Sequence, residues 1–114
     1  MSEKPYRFVK DDVKKTLKIT AHGMMQEAAY PLFMEDLKEQ TSNITVSDYN
    51  LVLDSSDFPV QKQEAIPMIK GILEFYQTLN FNHIVIKSGG NVIPKMQMKR
   101  ILRELGMEDI IIED

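Results

Sequence analysis

The 114-residue sequence contains no cysteine, and this absence excludes disulfide bonds, thiolate catalysis and cysteine-based metal sites. No uninterrupted apolar run approaches the roughly 18 residues that a membrane-spanning helix needs. The opening residues Met1–Pro5 lack the apolar core of a signal peptide. We therefore expect a soluble, cytoplasmic protein with no membrane insertion.

Charge and reactive motifs are also sparse. The net charge of −3 is too small to argue for a nucleic-acid partner. The two histidines, His22 and His83, have no partner at the spacing of metal ligands, so we expect no metal and no other cofactor. No catalytic signature is present, and 43% hydrophobic with 27% charged residues is typical of a globular chain. The length predicts one domain over residues 1–114.

Three short apolar runs rich in β-branched residues predict strands: Leu51–Leu53, Ile84–Ile86 and Ile110–Ile112. Because each run is apolar at every position, it is typical of a strand covered on both faces by helices. Alternating segments at Tyr6–Val9 and Thr16–Ala21 predict an antiparallel hairpin ahead of them.

Three amphipathic segments separate these strands. Helical spacing predicts helices over about 26–40, 62–80 and 93–105, with a late start or a bend at Pro31 in the first. In the first of these helices, Ala29, Leu32, Phe33 and Leu37 are expected on one side, with Leu32 and Leu37 facing the sheet. The predicted fold is therefore α/β, a mixed β-sheet covered by about three helices in the order β-β-α-β-α-β-α-β.

The segment Tyr49–Asp54, in that element order, resembles the third strand of the STAS family, the SpoIIAA-like domains of anti-sigma-factor antagonists and of anion-transporter tails. The resemblance covers nearly the whole chain and implies a regulatory, protein-binding role. In the antagonists a serine at the start of the second helix is phosphorylated by a partner kinase. The corresponding stretch here, Phe58–Gln63, has no serine or threonine, and Asp54–Asp57 (Asp-Ser-Ser-Asp) lies several residues earlier, so the chain resembles a degenerate member.

Two segments at predicted strand ends are candidate ligand sites. Carboxyl ends of strands in α/β sheets often carry ligands, and exposed backbone N–H groups at a helix start can bind an anion. The candidates are Asp54, Ser55 and Ser56 after one strand and Ser88, Gly89, Gly90 and Asn91 after the next, with Lys87 and Lys95 adding positive charge. The alternative is ordinary turns whose short side chains bind local backbone.

Candidate partner contacts lie on the first helix and at the start of the second. Tyr30 and Met34 widen the apolar surface of the first helix beyond one buried stripe, and Gln61 and Lys62 lie where the second helix begins. Of the eight methionines, Met24, Met25 and Met96 suit either an adaptable surface or a core.

The resulting functional prediction is a non-enzymatic, cytoplasmic interaction or regulatory module that binds an unknown protein or a second copy of itself. An alternative is a sensor for a small anionic ligand or nucleotide at the strand-end loops. An enzyme using Asp54 or His83 for proton transfer, and a phosphorylation switch at Ser55 or Ser56, are further alternatives.

Overall fold

The computed structural model describes residues 5–114, so Met1–Lys4, on which the signal-peptide argument partly rests, lie outside the described residues. The strands are β1 (Tyr6–Asp11), β2 (Thr16–His22), β3 (Asn50–Asp57), β4 (His83–Lys87) and β5 (Ile111–Glu113). The helices are α1 (Tyr30–Ser42), α2 (Ile66–Leu79) and α3 (Val92–Glu104). Single 3-10 turns at Glu27–Ala29, Val46–Asp48 and Gln63–Ala65 precede α1, β3 and α2.

The five strands form one mixed sheet in the spatial order β1-β2-β3-β4-β5. β1 and β2 pair antiparallel with Tyr6 opposite Ala21, which confirms the predicted hairpin. The later pairs are all parallel, so their connections are helical crossovers. The predicted α/β class and element order are confirmed.

The core occupies one face of the sheet. Alternate residues along the strands form rows on that face, such as Ile19, Leu53, Ile86 and Ile112, and the buried residues of all three helices join the same core cluster. Each helical crossover connects a strand to its next neighbour in the same direction across the sheet. Because such crossovers are right-handed, all three helices lie on the same face of the sheet.

The prediction that the strands are covered on both faces is therefore wrong for the described residues. The opposite face carries Val52 and Val85, which are half-buried, and Ile111, which is 56% exposed. An apolar run in the sequence does not show whether both faces of its strand are covered. The same run is compatible with one covered face and one open face whose apolar side chains are partly shielded by neighbouring charged side chains.

Helix α1 begins with Pro31 in its first turn, as predicted from the missing N–H of proline. Its buried residues are Phe33, Leu37 and Thr41. Phe33 contacts the β1 aromatics, with its ring centroid 5.0 Å from that of Tyr6. The expected inward positions of Phe33 and Leu37 are confirmed, whereas that of Leu32 is wrong, because this residue is 42% exposed.

Element boundaries differ from the predictions in β3, α2 and β5. β3 continues to Asp57, so Ser55 and Ser56, expected to follow the strand, are strand residues. Parallel pairing continues past the apolar run because backbone hydrogen bonds do not depend on side-chain hydropathy. α2 begins at Ile66 after the 3-10 turn, and β5 is limited to Ile111–Glu113.

Candidate functional site

The carboxyl ends of β3, β4 and β5 meet at one edge of the sheet, where the predicted ligand residues gather. Asp54 accepts hydrogen bonds from the Ser56 hydroxyl at 2.7 Å and from the Ser56 N–H at 3.1 Å. Its other carboxylate oxygen lies 3.6 Å from Lys18 Nζ. These contacts, the Ser56 hydroxyl first, hold the pKa of Asp54 below its ordinary value against the opposing effect of burial. Asp54 is therefore a paired carboxylate.

Ser55 faces away from Asp54 and Ser56, because side chains alternate along a strand. Its hydroxyl donates to the carbonyl of Lys87 at 2.8 Å. This contact joins β3 to β4 at the strand ends. Asp54, Ser55 and Ser56 are neighbours in sequence, but they do not form a single convergent cluster.

The loop 88–91 packs directly on the end of β3. A Cβ atom placed on Gly89 would lie 2.6 Å from Ser56 Cβ, and the Asn91 side-chain amide donates to the Ser56 carbonyl at 2.8 Å. Ser88 is buried and bonds the Glu113 carbonyl through its N–H at 2.7 Å. The two predicted ligand segments therefore come together, and their polar groups largely bind each other and nearby backbone.

The lysines expected to favour an anion at this loop are differently placed. Lys95 Nζ lies 2.7 Å from an Asp114 carboxylate oxygen, whereas Lys87 is exposed on β4. The contact with Lys95 is the main cause of a lowered Asp114 pKa. Because one lysine is already paired, the electrostatic attraction for an added anion is reduced. An anion at this loop stays a prediction.

Gln61 is buried and connects the chain after β3 to two other segments. Its Oε1 accepts from the Met25 N–H at 2.6 Å, and its Nε2 donates to the Pro59 carbonyl at 2.7 Å. Its own backbone N–H and carbonyl bind the Gln97 side chain at 2.8 and 2.9 Å. Lys62 beside it is exposed. Of these two predicted partner contacts, Lys62 lies on the surface, whereas Gln61 is buried and forms its hydrogen bonds within the domain.

Tyr30 and Met34 are half-buried and pack against the core cluster. The Tyr30 hydroxyl would lie 3.2 Å from a Cβ atom on Gly71, so α1 and α2 approach closely at this glycine. This geometry explains a glycine in the middle of α2. The exposed apolar residue of α1 is Leu32.

The first two turns of α3 carry an apolar surface, of which the sequence analysis suggested only Met96. We call it the α3 patch: Val92, Ile93 and Met96 are 64%, 63% and 61% exposed. Val60, 40% exposed, immediately precedes Gln61, whose backbone N–H donates to the Gln97 side chain of α3. At 100° per residue, positions 92, 93 and 96 fall opposite the inward stripe of 98, 101, 102 and 105, which is the signal that could have revealed them.

An apolar cavity of about 110 Å³ lies inside the core, between the sheet and the helices. It is lined by sheet residues such as Ile19 and Leu53, by α2, and by Met25 and Met98. Tyr76 of α2 also lines it, and burial raises the pKa of its hydroxyl. No local sequence pattern predicts this cavity, because segments distant in sequence enclose it.

Within residues 5–114, no group of three or more histidine, aspartate or glutamate side chains is placed to hold a metal ion. His22 lies 3.7 Å from Asp57, and His83 is exposed at the far end of β4. In the same part of the chain, no helix is both long enough and apolar enough to cross a membrane.

No protein-family model matches the sequence, and no curated protein matches it. The structure is similar to that of the anti-sigma factor antagonist SpoIIAA in its unphosphorylated form, with a TM-score of 0.58. The superposition covers 96% of this chain and 87% of SpoIIAA at 9% sequence identity. At this identity the likeness shows the fold, and the SpoIIAA-like fold predicted from the sequence is confirmed.

Proposed function

We propose that this chain is a non-enzymatic, cytoplasmic regulatory module that acts by binding another protein through the α3 patch. The observation that carries the proposal is the contiguous exposure of Val92, Ile93 and Met96, each above 60%. Adjacent exposed apolar side chains on a small domain are a typical feature of protein-binding surfaces. A flexible thioether such as Met96 adapts to the shape of a partner.

The position of the patch supports the same proposal. The resemblance to the antagonists implies that Phe58–Gln63 corresponds to their phosphorylated segment, and Gln61 in this stretch hydrogen-bonds to Gln97 of α3. The α3 patch therefore lies beside that segment. Because no serine or threonine is present there, we propose partner binding that does not depend on phosphorylation of this segment.

The pairing of Asp54 supports a non-enzymatic role. A general acid or base works best with a pKa near the operating pH, whereas Ser56 and Lys18 hold the pKa of Asp54 below its ordinary value. His83 lies at the opposite end of the parallel strands, since Asn50 and His83 are paired at their amino ends and Asp54 with Lys87 at their carboxyl ends. The two groups proposed for proton transfer are therefore separated by the length of a strand.

Site-specific photocrosslinking in the native host tests the proposal. A benzophenone amino acid replaces Met96 in one variant and Val13 in the control, because Val13 is 94% exposed on the hairpin turn and far from α3 in sequence. We expect one dominant crosslinked protein from position 96 that position 13 does not give. A crosslinked product of twice the chain's mass identifies a second copy as the partner.

A matched pair of substitutions measures the affinity for the captured protein. Ile93→Asp is expected to weaken binding at least tenfold, since a buried apolar anchor contributes about 2 kcal/mol, while Val13→Asp leaves binding unchanged. Both residues are exposed, so thermal unfolding of both variants should match the wild type. Equal crosslinking from positions 13 and 96, or full binding by Ile93→Asp, would contradict the proposal.

A further inference from the structure

We infer that the core cavity is a binding site for a small, neutral, mainly apolar molecule that carries one hydrogen-bonding oxygen. This inference concerns a ligand inside the domain, and it is independent of the partner proposed for the α3 patch. Three features carry it: the size of the cavity, the chemistry of its lining and one unpartnered hydroxyl.

The size limits the ligand to about six non-hydrogen atoms. The cavity measures about 110 Å³, somewhat less than an engineered 150 Å³ cavity that stays dry and binds benzene or xenon. Native cores seldom keep voids larger than one water molecule. A cavity of this size in a small domain is therefore either a cost to stability or a place for a ligand.

The lining favours a neutral molecule. Much of its inner wall consists of aliphatic side chains from β2, β3, β4 and α2: Ile19, Leu53, Ile69, Ile72, Leu73 and Ile86. Asp54 also borders the cavity, but its carboxylate is bound to Ser56 and Lys18. No lysine or arginine lines the cavity among residues 5–114. An anion would therefore lose its hydration without gaining a cationic partner.

Tyr76 supplies the one free polar group of the inner wall. The residue is 3% exposed, and its hydroxyl forms no hydrogen bond with any residue from 5 to 114. The other hydroxyls of the wall are already bonded, that of Tyr6 to Asp36 at 2.5 Å and that of Ser55 to the Lys87 carbonyl.

The Tyr76 hydroxyl therefore borders the cavity without a partner among the described residues, and it is available to a ligand. A ligand carbonyl can accept a hydrogen bond from Tyr76, or a ligand hydroxyl can exchange one with it. The flexible side chains of Met24, Met25 and Met98 line the same space and can adapt to the ligand. His22 and Gln26, both exposed, border the cavity at its entrance.

Methionine-methyl NMR of the full chain tests the inference. Three matched probes are titrated: cyclopentanone, which carries a carbonyl; cyclopentane, which lacks it; and butyrate, an anion of similar size. We expect cyclopentanone to give saturable shifts of the Met24, Met25 and Met98 methyl signals and none at Met96, which is 61% exposed on α3. Shifts at Met96 alone, or no saturable shift at the other three, would overturn the inference.

Two neighbouring alanines provide a matched control for the location. Ala29 lines the cavity, whereas Ala28 is exposed outside it. Ala29→Leu fills part of the space and is expected to abolish the cyclopentanone shifts, while Ala28→Leu preserves them. If Ala29→Leu does not fold, Ala21→Val fills the same cavity from β2, where a β-branched residue is favourable. Unchanged binding by a folded filling variant would place the probe elsewhere and refute the site.

Tyr76→Phe tests the hydrogen bond separately. Removal of the hydroxyl should raise the dissociation constant of cyclopentanone about fivefold and leave that of cyclopentane unchanged. Equal effects on the two probes would refute the role of Tyr76. Butyrate binding as tight as that of cyclopentanone would refute the neutral class of ligand.

Discussion

Substitution of Gln61 by alanine should be among the most destabilising single changes in this fold. The substitution leaves the Met25 N–H and the Pro59 carbonyl without their partners, at hydrogen bonds of 2.6 and 2.7 Å. A buried polar group left unbonded costs about 1–3 kcal/mol, so the two together cost about 3 kcal/mol. The third bond, to the Gly23 carbonyl, is long at 3.3 Å and ends on an exposed residue, so it adds little.

Urea unfolding followed by circular dichroism measures this loss. For an m-value of about 1.5–2 kcal/mol/M, a loss of 3 kcal/mol lowers the unfolding midpoint by about 1.5–2 M. Lys62→Ala is the matched control, because Lys62 is adjacent and exposed, and its change should stay within about 0.5 kcal/mol. A loss below 1 kcal/mol for Gln61→Ala, or an equal loss in the control, would refute the reasoning.

Gln61→Glu adds a pH test of the same contacts. One oxygen of the new carboxylate keeps the Met25 N–H, which favours the charged form, but burial and the Pro59 and Gly23 carbonyl oxygens facing the other oxygen oppose it; we expect the folded-state pKa to lie above the unfolded value of about 4.3. With the folded pKa raised, the variant is most stable below about pH 4.3 and loses stability as the pH rises through the folded pKa. Wild-type protein should not show this loss. A Gln61→Glu variant with the pH profile of the wild type would show that position 61 is solvated.

Three further predictions concern the strand ends and the helix contact. Gly89→Ala should destabilise the fold by at least about 2 kcal/mol more than Gly90→Ala. Both glycines have a positive φ, but only a Cβ atom at position 89 would clash with Ser56. Equal losses of stability in urea unfolding would contradict the close approach of Gly89 to Ser56. Gly71→Ala should stabilise the fold by about 1 kcal/mol in a Tyr30→Phe background, because alanine is the better helix former. In the wild type the gain should be smaller, because the Tyr30 hydroxyl crowds the new methyl group. If the effects of the two substitutions are additive in a double-mutant cycle, this contact is excluded. Asp54 has a lowered pKa in the folded state, so its contribution to stability is present above the unfolded-state pKa and is lost as the pH falls through the folded-state pKa. Because the Ser56 hydroxyl is the main cause, Ser56→Ala should raise the Asp54 titration midpoint measured by carboxyl ¹³C NMR. An unchanged midpoint would assign the lowered pKa to other groups.

Much of the fold was predictable because periodicity is a local property. The spacing of apolar residues predicted Ile66, Ile69, Leu73 and Tyr76 on the inward side of α2; the last three are buried, and Ile66 is half-buried against the core. The alternating hairpin segments and the proline in the first turn of α1 were equally local signals. Each of these predictions depends on residues within a few positions of one another.

The contacts of the site were less predictable because they join distant segments. Gln61 looked like a surface residue at a helix start, but its partners Met25 and Gln97 are each 36 positions away. Ser56 and Gly89 were assigned to the same candidate ligand site, and their direct packing follows only once β3 and β4 are paired. Hydrogen-bond partners that lie far apart in the sequence cannot be identified until the fold that brings them together is known.

The face of the sheet opposite the helices is the other candidate surface for a protein partner, and its charges make it less favourable than the α3 patch. On that face the apolar row of Val9, Lys18, Val52, Val85 and Ile111 is interrupted at its second position by a lysine. The adjacent row has charged residues in four of its five places: Arg7, Thr20, Asp54, Lys87 and Glu113. A partner covering this face would have to desolvate those charges, which is costly unless each one is paired. The three exposed apolar residues of α3 are contiguous, so covering them removes mainly apolar surface from water, the favourable term in association.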